Sequence, residues 1–366
     1  MTKPRGRERE RRLLSFICTA YIERRAAVPL AGAAFRRPFR LLGPAIFGLT
    51  FASILSVTGA FAPGTRMAQT LQSNLASPRP VWISALEYFN SLVAYFFAQF
   101  NFSYYDRAFA FIQPAGIVWI LPIVFQQTYT CITLAYILPY TRLQAKVIGY
   151  VGFGLLCYWV GSWAWYSITG LLICEFSVVY SQVTPSSFPI RWGRRTLCRV
   201  PLWVPFVTIS LVGVLQKYLW MSLPTFRDHE YVAHTDILTG GLVRDLNSGI
   251  TPFPRIDDWM VVTGLLLTVE VLPTLQAMLD NAVLKHIGRL SYSIMLTSGS
   301  IYVSLGAYIY NQMVQQHNIT DQATLLAIVF FSCVPIAILV AEGVHWSVDM
   351  GTIIASQWFF GWMRQP

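Results

Sequence analysis

Three carboxylates interrupt apolar stretches of this 366-residue chain: Glu175, Glu270 and Glu342. An acid inside an apolar segment is costly to ionise and is a functional candidate by default. Glu342 stands near the end of its stretch, where it can snorkel. Glu270, between Val269 and Val271, is the least comfortable and is the candidate catalytic residue. Neutral, it could donate a proton; ionised, it could accept one from a hydroxyl. The plainer alternative is a satisfied interhelical hydrogen bond. Of the five histidines, His229, His234, His286, His317 and His345, none is expected deep in a membrane segment. His229 and His234 share a polar stretch with Asp228, Glu230 and Asp236, which reads more simply as a solvated loop than as a metal site, and no metal is expected. The six cysteines form no CxxC pair and read as small packing residues.

Several motifs are absent. The chain has no GxxxxGK[ST], no GxSxG, no HExxH and no GxGxxG after a strand. This argues against an ATP-driven pump, a lipase-type hydrolase, a zincin and a dinucleotide-binding enzyme. No bound cofactor is expected.

The elements that must position these residues are long and apolar. Leu41–Phe61, Gly116–Leu138, Val147–Cys174, Val200–Gln216, Leu290–Gln316 and Thr324–Ala341 contain no Asp, Glu, Lys or Arg. A hydrocarbon core about 30 Å thick takes roughly 20 apolar residues. Charged residues make up 12% of the chain, against about 25% in an ordinary soluble domain. The expected fold is all-α: a polytopic membrane helix bundle of about eight transmembrane helices plus one interfacial or re-entrant helix, 81–100. Residues 147–180 are too long for one helix and suggest a hairpin turning around 161–165.

Charge sets the orientation. Residues 1–40 carry eleven Lys or Arg against three acids and should stay cytosolic. The arginines at 191–199 and Lys285 with Arg289 then fall on the same side. With eight crossings and both termini inside, 20 of the 27 Lys and Arg face the cytosol. The sequons at Asn101 and Asn318 both fall outside, as glycosylation requires. The expected organisation is a basic segment 1–40, an integral-membrane domain 41–342 and an amphipathic tail 343–366. The partner implied by the basic head is anionic lipid, not nucleic acid.

Four short patterns in order resemble one family. Arg36-Arg37-Pro38-Phe39-Arg40-Leu41-Leu42-Gly43-Pro44 is similar to the RRxxRLxxP entry to a span in the acyltransferase-3 family of integral-membrane O-acyltransferases, especially its fungal branch. Trp119 to Phe125 resembles that family's WTIPVEF-like span, Leu284 to Tyr292 its LGRISY turn, and Trp346 to Asp349 the end after its last span. The resemblance covers roughly residues 34–362. It implies transfer of an acyl group, often from acyl-CoA, to a hydroxyl of a small molecule such as a fungal secondary metabolite, in the endoplasmic reticulum or another secretory membrane. It also implies ten spans, of which this chain lacks the first two, with the His taken as catalytic base; ten less two matches the eight read from charge. The motif acid of the WTIPVEF-like span is Val124 here, and the His after the late turn is replaced within Leu296-Thr297-Ser298-Gly299. A degenerate relative is therefore one form of this reading. Arg37, Arg40 and Arg289 remain at the cytosolic face, where they could hold the phosphates of a CoA donor or simply obey the positive-inside rule.

Two other classes compete. A transporter would use interrupted spans and a buried Glu270, but no inverted pair of broken helices is visible. A membrane-bound, terpene-cyclase-like biosynthetic enzyme would use Glu175 and Glu270 as acids.

Overall fold

The apolar runs fold as helices. In a computed structural model, the described residues are 27–71, 84–97, 120–137, 143–183, 187–192, 195–225, 230, 254–317, 319 and 321–364. The helices are α1 (Ala27–Val57), α2 (Ala62–Leu71), α3 (Ala85–Phe97), α4 (Ile120–Ile137), α5 (Leu143–Trp159) and α6 (Ala164–Val183). There follow α7 (Trp203–Ser222), α8 (Ile256–Val271), α9 (Pro273–Leu279), α10 (Ala282–Ile301), α11 (Ala307–Gln316), α12 (Gln322–Val344) and α13 (Met350–Met363). Two five-residue π-turns, Tyr302–Gly306 and His345–Asp349, carry α10 into α11 and α12 into α13. The basic residues 1–26 and the sequon residues Asn101 and Asn318 lie outside the described residues, as do Asp228, His229, His234 and Asp236.

Four helices are long and apolar enough to cross a membrane: Leu30–Val57, Ile120–Ile137, Trp203–Ser222 and Gln322–Met363. A fifth candidate joins α8 and α9, which bend by 101° at Leu272. The described residues therefore hold four or five candidate spans, not about eight, and are compatible with a membrane protein. The shortfall has local causes. Pro273 begins a new helix because it has no N–H to continue the old one. Helix α5 has 17 residues and rises about 25 Å, less than a hydrocarbon core. Helix α3 has 13 residues, about 20 Å, and lies in the stretch 81–100 expected as an interfacial or re-entrant helix and not counted among the eight.

The expected turn at 161–165 is present. Gly161 adopts φ 68°, a left-handed conformation that a Cβ would disfavour, and closes α5 before α6. An unexpected element follows it. Residues read as a cytosolic arginine-rich loop form a two-stranded antiparallel hairpin, β1 (Ser187–Trp192) and β2 (Arg195–Pro201), with a register shift between Ile190 and Arg191.

The chain divides into two compact units, each discontinuous in sequence. One comprises residues 1–33 and 127–281, the other 34–126 and 282–366. The first has a core of Tyr150, Cys157, Trp165, Ile168 and Leu171. In it α7 and α8 approach so closely that a Cβ on Gly264 would sit 2.6 Å from the Phe206 carbonyl. The second unit buries Ile301, Cys333 and Ala337 between α10 and α12. Large apolar side chains stay exposed on α7 (Leu211, Leu215, Leu219) and α12 (Leu326, Phe331, Leu339), as a lipid-facing surface would have.

Candidate functional site

Within the second unit three helices meet around Tyr292 and Asp349. The Tyr292 hydroxyl on α10 donates to the Leu41 carbonyl of α1 at 2.8 Å. Gly43, half a turn along α1, faces the last helix so tightly that a Cβ there would lie 2.2 Å from Cγ2 of Thr352. Thr352 is itself held, its hydroxyl donating to the Asp349 carbonyl at 2.9 Å. Phe35 on α1 packs on Phe359 and Phe360 of α13, each at 5.6 Å between ring centroids. Contacts from residue 35 to 359 and from residue 43 to 352 mean that α1 and α13 run antiparallel.

The π-turn His345–Asp349 supplies the polar centre. A π-turn inserts an extra residue into a helical turn, and such bulges recur at functional sites. Asp349 Oδ2 accepts the Ser293 hydroxyl of α10 at 2.5 Å and lies 3.2 Å from His345 Nδ1. Ser293 is fully buried and Asp349 is buried, while Asp349 Oδ1 has no hydrogen-bond partner among the described residues. In the neutral ring, a proton on Nδ1 facing the carboxylate leaves the lone pair on Nε2. The arrangement is an oriented imidazole able to take a proton from a hydroxyl.

The sequence reading missed this pair. His345 sits in the π-turn of the continuous 42-residue helix Gln322–Met363, four residues before the carboxylate it faces. The available signal was the i, i+4 spacing of His345 and Asp349, which puts both on one helical face.

The three candidate arginines belong to this same unit. Arg37 is one turn before Leu41, and Arg289 is one turn before Tyr292, so both flank the Tyr292–Leu41 contact. Arg37 and Asp349 both act electrostatically on the Tyr292 phenol. Arg37 is half-buried, and Arg40 and Arg289 are exposed. Nearby, Glu342 bridges His286 Nε2 at 2.9 Å and Trp346 Nε1 at 2.7 Å.

Glu270 belongs to the first unit. Its carboxylate accepts the Ser177 hydroxyl, and its backbone carbonyl accepts from Gln276 Nε2 at 2.7 Å. It is half-buried and occupies the last turn of α8, beside the break at Leu272, where the sequence had suggested mid-span. Glu175 pairs with Lys146 and accepts the Tyr150 hydroxyl at 3.2 Å, so it is no isolated acid.

A second polar cluster lies at the start of α8. Arg255 pairs with the fully buried Asp257 at 3.0 Å and stacks over Trp220 at 5.0 Å. Glu230 accepts the Ile256 N–H at 2.8 Å, while its other oxygen has no hydrogen-bond partner among the described residues. Burial pushes the Glu230 carboxyl up to about 7.

Comparison with curated proteins finds similarity to the O-acetyltransferase PaAT-1 of Phomopsis amygdali, 23% identical over 256 residues. The match covers 67% of this chain and 48% of that protein, so the chain spans about half the length of the curated relative it matches. No protein-family profile matches the chain, and no solved structure matches it.

Proposed function

We propose that this chain is a membrane-embedded O-acyltransferase-like protein that moves an acyl group from acyl-CoA to a hydroxyl of a small molecule, such as a secondary metabolite. The observation that carries this reading is the His345–Asp349 pair of the long last helix, held to α10 through Ser293. Similarity to an O-acetyltransferase supports it.

The chemistry follows from those residues. The acceptor O–H gives its proton to His345 Nε2 as its oxygen attacks the thioester carbonyl carbon. Asp349 steadies the imidazolium that forms. The C–S bond then breaks, the thiolate leaves and takes the proton from His345, and the products are an ester and free CoA. Arg37, Arg40 and Arg289 would hold the donor's phosphates. In this reading His345 takes the part first assigned to Glu270, which serves as an interhelical hydrogen-bond acceptor.

The last helix has 42 residues and is about 63 Å long, roughly twice a hydrocarbon core. If its apolar segment 323–341 spans the bilayer, His345 and Asp349 come to the cytosolic boundary, where a soluble donor and a lipid-dissolved acceptor can meet. We further propose a multi-pass topology in a secretory membrane such as the endoplasmic reticulum, with Asn101 and Asn318 glycosylated on the far side.

The test is incubation of membranes carrying the full chain with labelled acetyl-CoA and a panel of alcohols. Label should pass to at least one acceptor, above membranes lacking the chain. No transfer to any acceptor, with the protein present and folded, would reject the proposal.

A further inference from the structure

Trp346 is an exposed indole that is nevertheless pinned. It is 67% exposed, yet its Nε1 donates to Glu342 Oε1 at 2.7 Å. The other oxygen of Glu342 pairs with His286 Nε2 at 2.9 Å, which ties the indole on α12 and its π-turn to α10. One ring edge is thereby fixed while much of the ring surface stays open. His286, Lys285 and Arg289 occupy adjoining positions on α10 and are all exposed. The indole directly follows His345, whose ring lies edge-on to it at 6.0 Å between centroids. A held aromatic face, linked through Glu342 to the turn of α10 that carries Lys285, His286 and Arg289, offers the two features that bind an adenine nucleotide: a plane to stack on and positive charge for phosphates. Glu342 brings one negative charge to the group, which His286 offsets when protonated.

We infer that Trp346, pinned by Glu342 and His286, is the stacking platform for the adenine of the CoA donor, with the nearby cations facing its phosphates. This rests on acyl-CoA being the donor. It adds a way to distinguish a complete CoA thioester from a shorter thioester with the same reactive end. The adenine ring lies on the indole face, the phosphates run toward Arg289, and the pantetheine arm carries the thioester toward His345.

The test compares binding of acetyl-CoA and S-acetyl-pantetheine to the full chain in lipid nanodiscs. Trp346→Ala should weaken acetyl-CoA about tenfold, as loss of base stacking does, and leave acetyl-pantetheine unchanged. Trp346→Phe keeps an aromatic face and should lose less than about threefold, which separates stacking from misfolding. Glu342→Ala, which releases the indole but keeps its larger face, should lose no more than Trp346→Phe, which loses the same hydrogen bond. Equal acetyl-CoA affinity in the wild type and Trp346→Ala would overturn the inference and leave acyl transfer standing; an indole that only anchors the helix at the lipid boundary gives that result. Equal loss of both ligands in Trp346→Ala would overturn it as well. A wild-type chain that binds no acetyl-CoA would reject the CoA donor itself, and the platform with it.

Discussion

Ser293 and Asp349 lie 56 residues apart in sequence and meet at 2.5 Å in a buried contact between α10 and the π-turn of the last helix. The contact fixes the carboxylate that faces His345 and links two helices that carry different parts of the site. Asp349→Asn keeps the size of the group but removes its charge and its preference for the Nδ1–H tautomer. Transfer should fall at least a hundredfold in kcat, with little change in KM for the donor. Steady-state kinetics with labelled acetyl-CoA checks this; a change confined to KM would place Asp349 in donor binding instead.

Arg289 is predicted to contribute to donor affinity and not to the chemical step. Loss of one charged hydrogen bond is worth about 1.5–3 kcal/mol, so Arg289→Ala should weaken acetyl-CoA binding roughly tenfold to a hundredfold. Titration at two salt concentrations checks the charge: the difference between wild type and variant should narrow as salt rises.

Gly43 is predicted to be a packing requirement of the junction. Gly43→Ala drives a Cβ against Thr352, whose β-branched side chain is held by its own hydrogen bond. The cost should be about 1–3 kcal/mol of stability, as for other overpacked contacts. Thr352→Ser removes the clashing methyl and should recover much of it in the double variant, as read by thermal unfolding in detergent.

Glu230 gives the first unit a pH dependence. Its carboxyl titrates near 7 where folded and near 4.5 where exposed, so the folded form holds its proton over that interval. Stability therefore falls as pH rises from about 4.5 through 7. Arg255 favours the ionised form, while Asp257 and Asp258 oppose it. Glu230→Gln should flatten this part of the stability profile, as measured by thermal unfolding across the interval; an unchanged slope would assign the dependence elsewhere.

How much of this was legible in the sequence depended on the kind of signal. Charge-free runs of about 20 residues marked helices correctly, and Gly161 marked the turn between α5 and α6, because length and glycine conformation are local properties. Pro273 was equally visible, but a proline does not announce whether a helix kinks or turns by 101°. The hairpin 187–201 was hidden by its arginines, which read as topology and not as strand. The π-turns left no periodic trace, so the long last helix was expected to end near Ala341. His345 and Asp349 have an ordinary helical spacing, and only the arrival of Ser293 from another helix makes them a site.

The most direct measurement is transfer of labelled acetyl groups by wild type, His345→Ala and His345→Gln under identical conditions, with protein amount and folding matched. Both variants should lose at least a hundredfold in kcat while still binding acetyl-CoA, because the base is gone and the donor contacts remain. Full transfer by either variant would show that His345 does not take the acceptor's proton.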